Sequence, residues 1–133
     1  GPAQILKIRV DGAGPHLIAG LMLSGERFHA PLDPARFSNE VIALTVRSFA
    51  ALPLEEVDVW AVVPIAVPRG SIVSGDLAIP TERIVYSATV RRAEGPAFAA
   101  RLRRGDDVFW DPRWRAALAA PDRSHLPRGK QAS

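Results

Sequence analysis

Between Asp33 and Glu94 the chain places one amphipathic helix ahead of two strongly apolar strands, and this order constrains the fold more than any other stretch. Asp33-Pro34 is a helix start: the Asp side chain accepts backbone N–H bonds, and Pro at the first helical position loses no donor that was needed. Phe37, Val41, Leu44, Thr45 and Ser48 then fall on one stripe, broadened by Ile42, Phe49 and Leu52. Asn39, Glu40 and Arg47 mark a more polar side, so the spacing predicts a helix lying against one face of a sheet. Pro53 ends it. Val57–Val67 (VDVWAVVPIAV) is rich in β-branched residues; Val57, Val59, Ala61 and Val63 face one side and Asp58, Trp60 and Val62 the other. Pro64 removes a ladder donor, which predicts an edge or a bulge. In Arg83–Arg91 (RIVYSATVR), Ile84, Tyr86, Ala88 and Val90 alternate with Arg83, Val85, Ser87, Thr89 and Arg91, giving one apolar and one mostly polar face.

The flanking segments complete the core. Gln4–Val10 reads as a half-buried strand, Asp11-Gly12-Ala13-Gly14-Pro15 as a turn, and residues 17–24 as a second strand, since Gly20 and Gly25 disfavour a long helix. The short connection predicts a hairpin. Residues 70–81 read as a loop. Beyond Glu94-Gly95-Pro96, Ala97–Arg104 is a short basic helix stopped by Gly105, and Asp111-Pro112 opens another over Pro112–Ala120, with Trp110 and Trp114 four apart on one helix face. Residues 122–133 are polar with two prolines, the composition of a disordered tail. The expected architecture is therefore α+β: one globular domain over residues 1–121, with a mainly antiparallel sheet of about four strands in the order β-β-α-β-β-α-α and helices packed on one face.

Several function classes are disfavoured by composition. The absence of cysteine removes disulfide frameworks and thiolate metal sites. No run of 18 apolar residues exists to form a spanning helix. Gly1-Pro2 reads as the scar of a cleaved tag, so a trimmed leader or anchor stays compatible with the chain and the compartment is open.

Candidate chemistry is sparse. His16, His29 and His125 lie far apart, without the helical spacing of a metal pair. Asp106, Asp107 and Asp111 form a D-D-x-x-x-D cluster of a kind that can hold Mg²⁺, but Asp111 is better explained as a helix cap. Glu40, Glu55, Glu56 and Asp58 would suit a nuclease-type metal site, yet neither Lys7 nor Lys130 stands beside them. The Gly12-Ala13-Gly14 turn precedes a strand and not the helix N-terminus that a phosphate cradle needs. No nucleophile elbow is present, and Ser71, Ser74 and Ser87 have no evident base.

What stands out is charge. Residues 1–80 carry 6 basic and 8 acidic residues, residues 81–133 carry 11 basic and 6 acidic, so the excess of positive charge lies at the C-terminal end. Arg91, Arg92, Arg101, Arg103 and Arg104 are interleaved with aromatics including Trp110 and Trp114, and Trp and Arg are the residues over-represented at binding hot spots. These seven are the candidate partner-binding residues. With no catalytic set and no cofactor motif, the expectation is a non-enzymatic protein-interaction or assembly module that binds a protein partner or forms a homo-oligomer through a sheet edge. The alternative is a nucleic-acid-binding accessory domain that uses the same arginines on phosphates.

Overall fold

The computed structural model describes residues 3–28, 32–65 and 82–120. The expected loop at 70–81, the tail at 122–133, His29 and His125 lie outside them. The elements are β1 (Ala3–Asp11), β2 (Ile18–Phe28), α1 (Pro34–Ala51), β3 (Glu56–Pro64), β4 (Glu82–Arg91), α2 (Phe98–Arg104), β5 (Phe109–Trp110) and α3 (Pro112–Ala119). The class is α+β as expected, but the sheet has five strands in the order β1-β2-β3-β4-β5 and is mixed. β1/β2, β3/β4 and β4/β5 pair antiparallel, whereas β2/β3 pair parallel.

The parallel pair has a simple cause. α1 has 18 residues, and at 1.5 Å per residue it runs about 27 Å, enough to carry the chain back to the end of the sheet where β2 began. Asp33 caps α1 as expected, its Oδ1 accepting from Arg36 N at 2.8 Å. The second Asp-Pro start behaves alike: Asp111 Oδ1 accepts from Trp114 N at 2.9 Å. Gly105, with φ at 75°, closes α2 in the left-handed conformation that a glycine adopts without strain.

Two expectations about strand faces are revised. β3 lies between β2 and β4, so it is a central strand; Pro64 is tolerated because it is the strand's last residue. In β4 the alternation breaks at a bulge opposite Ala61/Val62. Tyr86, Ala88 and Val90 keep the core face, but Ile84 moves to a position opposite Val62 and is exposed, while Val85 is buried.

The core lies between α1 and one face of the sheet. Leu21 and Leu23 of β2, Val57, Val59 and Ala61 of β3, and Tyr86 and Val90 of β4 meet Phe37, Val41 and Leu44 of α1. Thr45 is fully buried and satisfies its hydroxyl on Val41 O at 2.8 Å. Glu40, read from sequence as polar surface, is buried. The helices share this face: α1 packs over β3 and against α2 and α3.

An aromatic cluster joins the layers. Phe37 meets Tyr86 edge-on at 4.9 Å, Trp114 at 5.1 Å and Trp110 at 5.9 Å. Trp110 lies on β5 and not on a helix with Trp114, as the spacing had implied; the two rings nevertheless stack at 5.8 Å. Trp114 Nε1 donates to Gly25 O at 2.7 Å across the core. Gly25 has no room for a side chain there: a Cβ would approach Val63 Cγ1 to 2.8 Å and Val85 Cγ2 to 2.9 Å. Phe37→Ala would leave a cavity at the junction of all three helices and is expected to cost about 3–5 kcal/mol, measured as a lower urea midpoint at unchanged slope.

Candidate functional site

The candidate residues sort into two groups by what their side chains already bind. Arg92 belongs to the scaffold. It turns back over the end of α1, where Nε donates to Leu54 O at 2.6 Å and Nη2 to Phe49 O at 2.8 Å and Leu52 O at 2.9 Å. Its guanidinium also covers the Phe49 ring at 4.9 Å. A cation at the helix C-terminus answers the carbonyls that the last turn leaves unpaired. The groove of about 870 Å³ at this end, lined by Phe49, Leu52, Glu55, Arg91 and others, therefore has its main donor already engaged.

Arg101 is more deeply tied. Nε and Nη2 grip Glu94 at 2.6 and 2.9 Å, Nη2 also donates to Thr89 O at 2.8 Å, and Nη1 to Asp106 O at 3.0 Å. The hydrogen bonds from Arg101 hold the Glu94 carboxyl below the usual range, partly opposed by burial. Through Thr89 O this residue occupies the outer edge of β4. Asp111 N takes Val85 O on the same edge at 2.8 Å, and β5 pairs with Tyr86 and Ser87 between them. Asp111, also paired with Arg83, is held low first by the Trp114 N–H and then by Arg83.

The remaining candidates are more open. Arg91 pairs across strands with Glu56 at 3.6 Å. Arg103 Nε reaches Asn39 Oδ1 at 3.1 Å and Arg104 Nε reaches Asp106 Oδ2 at 2.7 Å. Trp114 is buried and Trp110 half-buried, both inside the aromatic cluster. Thus Arg103, Arg104 and Trp110 come together at the rim between α2, β5 and α1, Arg91 and Arg92 sit at the far end of α1, and Arg101 is half-buried against Glu94 and Thr89.

The acidic candidates do not converge. Among the described residues, no three His, Asp or Glu side chains are placed to share a metal ion. Asp58 accepts from Thr89 Oγ1 at 2.9 Å on the sheet face away from α1, while Glu40 is buried on the helix. Glu56 is pushed up by burial and by its hydrogen bond to Asp58. His16 Nδ1 lies 3.1 Å from Glu55 Oε2 in an exposed pair. Tyr86 Oη is buried with no hydrogen-bond partner among the described residues, and burial raises its pKa.

β1, expected from its alternation to be half-buried, leaves its large apolar side chains exposed. It forms the opposite edge of the sheet from β5, and its register sets Ile8 opposite Leu21 and Val10 opposite Ala19, on the α1 side. Yet Ile8 is 62% exposed and Val10 44%, and Ile5 and Leu6 are exposed too. No family model, curated protein or solved structure matches the chain, so function is argued from this geometry.

Two predictions follow from the arginines. Arg101→Met leaves Glu94 and Thr89 O without their donor and should cost about 2–3 kcal/mol, whereas Arg103→Gln should stay within about 0.5 kcal/mol; parallel urea titrations separate the two. Glu94 and Asp111 have lowered folded-state pKa values, so they stabilise the protein above the unfolded values and lose that contribution as pH falls. Glu56, raised, works in the opposite sense. Melting temperature should fall below about pH 4.3, with a shallower slope in Glu94→Gln.

Proposed function

We propose that the protein is a non-enzymatic assembly module that pairs with a second copy of itself through the outer edge of β1, which no other strand among the described residues occupies. The observation that carries this reading is the nine-residue edge strand with four exposed apolar side chains. The other edge of the sheet is occupied: β5, Asp111 N and Arg101 take up the outward groups of β4. A long apolar strand with unpaired backbone groups is the site where another strand adds.

The charges on β1 favour a particular register. In an antiparallel pairing centred on Arg9, Ile8 of one copy stands opposite Val10 of the other, and Lys7 opposite Asp11, each occurring twice by symmetry. Apolar side chains then meet on the α1 side and opposite charges on the other. Cross-strand pairs of both kinds are favourable, by about 0.2–1 kcal/mol each. Arg9, which meets its own copy, already holds Asp11 at 2.8 Å. Centring on Ile8 instead would set Lys7 against Arg9 twice by symmetry, two like-charge pairs in place of the single Arg9–Arg9 pair. Lysine on an edge usually discourages pairing; opposite Asp11 it selects the register.

The same arrangement explains why the basic C-terminal half is not the leading candidate for nucleic acid. Arg92 and Arg101 spend their donors on carbonyls and carboxylate within the chain. Light scattering after size exclusion should give a dimer whose mass is insensitive to salt and to added oligonucleotide. Ile8→Glu/Val10→Glu should weaken it about tenfold or more. Lys7→Glu should weaken it, and Lys7→Glu/Asp11→Lys should restore it. A wild-type chain that stays monomeric at its solubility limit, or a dimer untouched by all these changes, would rule the reading out.

A further inference from the structure

A pocket of about 370 Å³ opens between the N-terminal turn of α1, the end of α2 and β5, lined by Pro34, Ser38, Arg103, Arg104, Trp110 and Arg115 among others. These residues come from three separated segments, so no local motif announces the pocket. We infer that it binds the phosphate group of a small phosphate monoester.

The argument rests on what the walls offer. Ser38 is only 4% exposed, and its hydroxyl makes no hydrogen bond among the described residues. A buried hydroxyl in a helix ordinarily returns to the carbonyl one turn back, as Thr45 and Ser48 do here; Ser38 does not. The Trp110 indole N–H likewise has no acceptor among the described residues, in contrast to that of Trp114. It lies beside Gly105, where a Cβ would come within 3.8 Å of Nε1. Arg115 has no carboxylate partner among the described residues and covers the Trp110 ring at 5.4 Å. Donors thus line the pocket, while the N-terminus of α1 beside it is already answered by the Asp33 carboxylate.

Charge selects the ligand. Arg103, Arg104 and Arg115 supply three cations, and the one carboxylate joined to them among the described residues is Asp106, on Arg104. Of the other nearby carboxylates, Asp33 caps α1 and Asp111 is committed to Arg83 and Trp114. With the Asp33 carboxylate counted as well, the three arginines keep a surplus of positive charge, which favours an anion, and a phosphate monoester accepts from several such donors at once. The volume exceeds that of a bare phosphate and leaves space for a small attached body. The pocket lies at the β5 end of the sheet, away from β1, so it stands or falls independently of the pairing proposed above.

The test uses the full chain at constant ionic strength. Calorimetry and ³¹P NMR would follow inorganic phosphate, phenyl phosphate and a single-stranded oligonucleotide lacking terminal phosphate. One saturable site is expected for the two phosphates, weakened about tenfold or more in Arg103→Gln and in Arg115→Gln. It should also weaken in Ser38→Ala, with thermal melts confirming that each variant is folded. Tighter binding of phenyl phosphate identifies an ester as the ligand, and equal binding identifies free phosphate; both support the site. No saturable binding, equal binding in both arginine variants, or tighter binding of the oligonucleotide than of phenyl phosphate overturns it.

Discussion

Phe37 is the contact on which the architecture depends. One ring from α1 meets rings from β4, β5 and α3, at centroid distances from 4.9 to 5.9 Å. Edge-to-face contacts of this kind add to the area that each ring buries. The cluster therefore does two things at once: it seats the helix on the sheet and pins the C-terminal segment beside β4. The Trp114–Gly25 hydrogen bond extends the second role across the core to β2, which links elements far apart in sequence.

From that anchoring follows the inequality of the two sheet edges. Once Trp110 and Trp114 are fixed against Phe37 and Tyr86, the turn between α2 and β5 brings Arg101 and Asp111 to the outer carbonyls of β4. The outward groups of β4 at Val85, Tyr86, Ser87 and Thr89 are thereby engaged within the chain. At the other edge the helical layer does not cover the side chains of β1, because α1 packs over β3 and leans on α2 and α3. The exposure of Ile8 and Val10 is thus a consequence of where the aromatic cluster pulls the helices.

Much of this was legible in the chain. The two Asp-Pro helix starts, the αL glycine after α2, and the alternating faces of β3 could be read because each depends on neighbouring residues. The parallel β2/β3 pair was not inferred, although a helix between two strands is the usual means of making one. β5 was missed because two residues carry no periodicity. The bulge that turns Ile84 outward arises from pairing with β3 and leaves no mark on the RIVYSATVR pattern. The candidate surface was missed for a different reason. The apolar residues of β1 look, in sequence, like an ordinary half-buried strand; only the position of α1 determines that they stay uncovered.

The basic stretch shows the same limit on a smaller scale. Arg101, Arg103 and Arg104 are near neighbours in one short helix, yet one is a half-buried clamp and two are exposed. What separates Arg101 from Arg103 is helical geometry: residues two apart project in different directions, so Arg101 meets Glu94 and Thr89 O while Arg103 reaches Asn39 on α1. Net charge counts all three equally. The positive surplus available to a ligand is then not the formal excess of the C-terminal half but what remains after internal acceptors are served. Between α1, α2 and β5, the exposed Arg103 and Arg104 meet Arg115 and the Ser38 hydroxyl, which makes no hydrogen bond among the described residues.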